Sequence, residues 1–155
     1  MAAKSSDTQT ASDRELVINR TFNAPRELVW KAWTEDMDQW SAPKGFTIPV
    51  SEGDLRPGGK WRAVMVTPEG KELPLGGTYR EIVPPERLVF THAWEDENGT
   101  AGPETVVTVT LVARGQKTEM NFRQTGFDSV ESRNGHAEGW SECFDKLEEM
   151  LAATV

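Results

Sequence analysis

Apolar and polar positions change period three times along this chain, and each change marks an element. Leu16-Val17-Ile18-Asn19-Arg20-Thr21-Phe22 is rich in β-branched residues and puts Leu16, Ile18 and Phe22 on one face, the two-residue period of a strand. Pro25 suits the first position of a helix, and Leu28, Val29, Ala32 and Trp33 follow at helical spacing. That helix is expected to stop near Glu35-Asp36, with a further short turn over Met37-Asp38-Gln39-Trp40 before Pro43-Lys44-Gly45 breaks the chain. Trp40 is expected to plug the end of the core.

From Phe46 to Phe127 the pattern becomes short, β-rich segments separated by turn clusters. Strands are expected near 46–54, 59–67, 73–83, 87–95, 104–113 and 116–125. Arg56-Pro57-Gly58-Gly59, Pro68-Glu69-Gly70, Pro84-Pro85-Glu86, Asn98-Gly99 and Arg114-Gly115 connect them, each short enough to join antiparallel neighbours.

The last segment returns to helical period over about 129–153, with Asp128 and Glu131 spaced like a capping box. Arg133, His136, Ala137, Trp140, Cys143, Phe144, Leu147 and Leu151 fall on one side, opposite Glu138, Glu142, Asp145 and Glu149. Gly135 and Gly139 weaken the first half and would admit a close backbone approach or a bend. The economical packing is α+β: a seven-stranded antiparallel sheet wrapped around one long C-terminal helix, with two short helices after strand one. Residues 1–13 carry little beyond alanine and the initiator methionine as apolar content and read as a disordered tail, leaving 14–155 as a single domain.

At 155 residues, with 37% hydrophobic and 27% charged positions, the chain can bury a core and an internal cavity. Seventeen Lys and Arg against 25 Asp and Glu give a formal charge of −8, which argues against binding phosphate backbones, so nucleic acid is not an expected partner. The one cysteine, Cys143, has no intramolecular partner, and no Cys/His spacing matches a zinc site. The N-terminus lacks the apolar stretch of a secretory signal and no run of about 18 apolar residues occurs, so a cytoplasmic protein without a membrane span is expected.

Particular stretches carry a family resemblance: Phe22-Asn23-Ala24-Pro25-Arg26-Glu27-Leu28-Val29-Trp30, Pro57-Gly58-Gly59-Lys60-Trp61, the run Gly77 to Leu88 with its Pro84-Pro85-Glu86-Arg87-Leu88, and Gly139-Trp140 before Leu147. With the order of elements they resemble the SRPBCC superfamily, also called START-like or helix-grip. Within it the chain looks most like the heat-shock-protein-90 ATPase activator C-terminal-like family. The resemblance implies a deep cavity between sheet and long helix, used in many members for hydrophobic ligands. It also implies two alternatives: a stress-related co-chaperone-like role with a chaperone partner, and a cyclase- or hydrolase-like enzyme on an apolar substrate. It transfers no catalytic signature.

Six tryptophans, at 30, 33, 40, 61, 94 and 140, are spread over every type of element rather than gathered in one motif. Core packing is their ordinary use; lining a ligand cavity is the functional one. In 87–95, Leu88, Phe90, His92 and Trp94 share the bulkier face, which should meet the cavity. His92 is the weak catalytic candidate, since an imidazole can polarise a bound carbonyl. Arg133 or His136 on the last helix would face it. The expected ligand-lining set is Trp61, Met65, Phe90, His92, Trp94, Phe122, Arg133, His136, Trp140 and Phe144, with no metal and no cofactor. Cys143 lies in an apolar stripe, where burial makes a thiol inert. The acidic clusters Glu35-Asp36-Asp38 and Glu95-Asp96-Glu97 read as solvated surface.

Overall fold

The computed structural model describes residues 8–12, 14–96 and 98–154. Along the chain come β1 (Thr8–Ser12), β2 (Glu15–Phe22), α1 (Arg26–Thr34), α2 (Met37–Trp40), β3 (Thr47–Gly53), β4 (Lys60–Val66), β5 (Glu72–Val83), β6 (Arg87–Trp94), β7 (Thr105–Arg114), β8 (Lys117–Thr125) and α3 (Val130–Thr154). All seven expected strands form one antiparallel sheet in the order β1-β2-β8-β7-β6-β5-β4-β3.

The eighth strand, β1, corrects the expected tail at residues 8–12. It pairs with β2 at the sheet edge, Thr8 opposite Ile18 and Gln9 opposite Val17. Edge pairing satisfies backbone groups and needs no apolar side chain, so the absence of a hydrophobic period did not reveal it. The rest of the expected tail, residues 1–7 and 13, lies outside the described residues.

Turn chemistry sets the hairpins. Arg114 pairs with Lys117 across the two-residue turn Gly115-Gln116, and Gly115 supplies the positive φ of 66° that such a turn needs. In β5 a register shift between Tyr79 and Glu81 lets Tyr79 and Ile82 both pack inward although they differ in parity. Gly77 is a close approach: a Cβ there would stand 1.9 Å from the carbonyl oxygen of Thr91 on β6.

α3 lies on one face of the sheet, and α1 and α2 close one end of the layer between them. Trp33 of α1 is the hub, with ring centroids 4.8 Å from Trp40, 5.8 Å from Trp140, 6.1 Å from Phe122 and 6.1 Å from Phe144. Trp40 does plug the core: it is fully buried and its indole N–H donates to the carbonyl of Ala32 at 2.9 Å. Side chains of this size each contribute several kcal/mol of burial, about 1.5–3 for a fully buried apolar one. The core has two parts. A large cluster fills the space around Trp33, Phe122, Phe144 and Leu147. A smaller one, Ala42, Ala63, Met65 and Leu75, with Phe46, Ile48, Leu73 and Trp94 against it, lies toward β3 and β4. Trp61 touches both. Among the described residues, no helix is long and apolar enough to cross a membrane.

Candidate functional site

Between the two parts of the core the layer is hollow. A cavity of about 560 Å³ is bounded by β4, β5 and β6 on the sheet side, by the first half of α3 opposite, and by the end of α1, α2 and β3 at the flank. Alternation builds the sheet wall: Trp61, Ala63 and Met65 from β4, Leu73, Leu75 and Tyr79 from β5, and Leu88, Phe90, His92 and Trp94 from β6. Gly135, His136, Gly139, Trp140 and Cys143 form the helix wall. The two glycines serve as space. A Cβ on Gly135 would have nothing within 4 Å and one on Gly139 only Pro43 at 3.7 Å, so no close approach is made there.

Hydrogen bonds hold most polar atoms of the wall, although the indole N–H of the lining Trp33 is buried without a partner. Trp61 donates its indole N–H to the carbonyl of Thr91 at 3.0 Å. Trp140 donates to Oε1 of Gln124 at 2.9 Å, the Gln124 amide donates to Oγ1 of Thr105 at 2.8 Å, and that hydroxyl donates to the carbonyl of His92 at 3.0 Å. Trp94 donates to Nε2 of His136 at 3.0 Å, while Nδ1 of His136 lies 2.7 Å from the carbonyl of Ser132. His136 is therefore the neutral tautomer with its proton on Nδ1, since Nε2 must accept.

His92 differs. It is 6% exposed, its ring sits among Trp61, Trp94, His136 and Trp140, and its nitrogens make no hydrogen bond to another described residue. Burial, reinforced by His136 and opposed by its own backbone carbonyl, pulls its imidazole down to about 3. Burial lowers His136 as well, against the pull of the Ser132 carbonyl and of Asp128. Both are neutral at physiological pH. The buried Cys143 thiol is pushed up to about 12 by desolvation, which leaves it without thiolate character. Among the described residues, no three of His, Cys, Asp and Glu converge as a metal site.

Of the ten residues expected to line the cavity, seven do: Trp61, Met65, Phe90, His92, Trp94, His136 and Trp140. Phe122 and Phe144 face inward but lie in the solid part of the core, fully buried with ring centroids 5.3 Å apart and packed on Trp33. Arg133 is turned aside and donates to Oδ1 of its neighbour Asn134 at 2.8 Å, so it does not face His92. Periodicity reveals which face a residue occupies, not how far along the groove it lies, which accounts for Phe122 and Phe144, nor which way a long side chain turns, which accounts for Arg133. Missed by that reading were Trp33, Met37, Phe46, Ile48, Leu73, Leu75 and Tyr79. The alternation of Leu73, Leu75 and Tyr79 was a usable signal; the flank formed by α2 and β3 had none.

A family model described as activator of Hsp90 ATPase homolog 1-like protein matches residues 23–152. The chain belongs to that family. Solved structures similar to this member of the Hsp90 ATPase activator homolog 1-like family span almost its whole length. A Silicibacter pomeroyi protein of the same family designation has 28% identity over 91% of this chain and 99% of its own, with a TM-score of 0.82. A Nitrosomonas europaea protein has 27% identity over 94% and 98%, with a TM-score of 0.79. An Arthrobacter aurescens protein, at 24% identity over 96% and 92% and a TM-score of 0.84, shares the fold. No curated protein matches the chain.

Proposed function

We propose that this protein binds a small apolar or aromatic molecule in the cavity between the sheet and α3. The observation that carries this reading is the wall itself: four tryptophans, three of them held by hydrogen bonds to other parts of the wall or core, surround a space of about 560 Å³, with one buried imidazole that bonds no other described residue. Small-molecule sites have this character, mostly apolar with a few placed polar groups. His92 is the polar handle, able to accept from a hydroxyl or donate to a carbonyl of the bound molecule.

Trp33, Trp61, Trp94 and Trp140 line the cavity, so intrinsic fluorescence reports directly on its contents. Titration with flavonoids, polyketide-like aromatics and lipids should give saturable quenching or a spectral shift with at least one class. Silence across all of them overturns the reading. A second reading rests on the family's description: contact with an Hsp90-type ATPase. It predicts a changed ATPase rate when this protein is added to an Hsp90 homologue, with no dependence on an occupied cavity.

A further inference from the structure

The cavity has a one-sided charge. Three ionisable glutamates reach its lining, each from a different element at the mouth: Glu35 just after α1, Glu52 on β3 and Glu131 in the first turn of α3. All three are exposed, which places them at the rim rather than inside. No lysine or arginine is among the described residues that line it.

Three nearby cations are engaged elsewhere, while Lys44 and Arg133, adjacent in sequence to the lining residues Pro43 and Ser132, do not themselves line the cavity. Lys31 bonds Asp36 at 2.9 Å, Arg62 bonds Glu95 at 3.2 Å, and Lys146 donates to the carbonyl of Ala42 at 2.7 Å. The N-terminus of α3 contributes at most about half a positive charge against three full negative ones. The C-terminal end of α1, where Glu35 sits, adds to the negative side. Inside the mouth stand aromatic faces of Trp33, Trp61, Trp94 and Trp140, which attract cations. His92, buried and neutral, offers a hydrogen-bonding group but no charge to neutralise a carboxylate.

We infer that the ligand is an amphipathic cation, an apolar or aromatic body carrying a protonated amine or quaternary ammonium seated at the mouth, and that carboxylate ligands such as fatty-acid anions are turned away. The inference rests on the cavity being the ligand site. The mouth repels an anion before it meets the wall, and the net charge of −8 works in the same sense at longer range. A cation gains from the three carboxylates without leaving water, so its desolvation cost stays small.

Three probes sharing one body separate the possibilities: 2-(2-naphthyl)ethylammonium, 2-(2-naphthyl)ethanol and 2-naphthylacetate, titrated by calorimetry at low salt near neutral pH. The ammonium should bind about tenfold more tightly than the alcohol, with the carboxylate weakest. Raising the salt should narrow the spread. The variant Glu35→Gln/Glu52→Gln/Glu131→Gln should bring all three within about threefold while the alcohol's affinity holds, which also shows that the variant is folded. Equal binding of the three probes by the unaltered protein overturns the charge inference and leaves the cavity reading standing. So does tighter binding of the carboxylate, or a ranking that survives the triple substitution. No binding of any probe overturns both.

Discussion

The indole N–H of Trp94, the last residue of β6, is bonded at 3.0 Å to Nε2 of His136, on the first half of a helix 42 residues further along the chain. This bond ties the sheet wall of the cavity to its helix wall, and it exists only while His136 is neutral. A protonated Nε2 would set one N–H against another. His92, beside it with ring centroids 5.8 Å apart, is under the same constraint by burial.

These two histidines set the first prediction, the pH dependence of stability. Both have native pKa values depressed below the ordinary 6.5. Below that pH the unfolded chain takes up protons that the folded protein refuses, so stability falls as pH falls. Their contribution is complete above about pH 6.5, and for His92 the loss continues down to about 3. Within that window His92 alone should remove about 1.4 kcal/mol per pH unit. Urea unfolding between about pH 7.5 and 5.5 should show His92 removing about 1.4 kcal/mol in total, the slope steepening toward the lower end, and His92→Phe/His136→Phe should flatten it. A wild-type profile already flat over that range contradicts the burial of both rings.

His92→Phe alone tests the polar handle. Near pH 7.5 the melting temperature should stay nearly unchanged, because a neutral ring is replaced by an apolar one of similar shape. Affinity for 1-naphthol should drop about fivefold, the worth of one hydrogen bond, while affinity for naphthalene should hold. A large loss of melting temperature with both affinities unchanged would make His92 a packing residue.

Gln124→Leu should cost about 2–3 kcal/mol in urea unfolding, because it strips partners from the buried Trp140 indole and leaves the Gln124 end of a fully enclosed chain of bonds unfilled. It should also widen the range of Trp140 orientations and broaden its fluorescence. An effect below about 0.5 kcal/mol would mean the network contributes no net stability.

Two glycines should respond in opposite senses. Gly77→Ala drives a methyl group into the Thr91 backbone and should cost about 3 kcal/mol or prevent folding. Gly135→Ala meets open space on a helix and should stabilise by about 0.5–1 kcal/mol. Chemical denaturation of the two variants measures both, and equal effects would contradict the assigned geometry.

Cys143 should ignore a disulfide reagent such as dithionitrobenzoate in the native protein and react fully once urea unfolds it. Its thiol is buried and raised to about 12. Rapid native labelling would place the sulfur at an open part of the cavity.

Nearly all of the sheet was legible because its turns carry their own punctuation. β5, expected at 73–83, runs Glu72–Val83, and α3, expected at 129–153, runs Val130–Thr154. β1 was illegible because an edge strand can be held by backbone pairing alone. The cavity's wall was readable where alternation or helical spacing applied, as at Phe90-His92-Trp94. It was unreadable where a residue's height along the groove decided the matter, as with Phe122 and Phe144, or where a side chain chose a neighbour, as Arg133 chose Asn134. Of the rim glutamates, Glu35 was read as solvated surface, Glu131 as a capping residue and Glu52 not at all, since nothing in a one-dimensional pattern brings the three to one opening.

The division of the core has a bearing on how such a protein changes. Folding is anchored around Phe122, Phe144 and Leu147, which do not line the hollow. The hollow end is walled by residues whose outer surfaces already face empty space, so exchanging Met65, Leu73 or Leu75 forfeits few packing contacts. One end thus keeps the molecule folded while the other is at liberty to be re-tailored. Relatives with the same frame can diverge in what they carry without first having to become more stable.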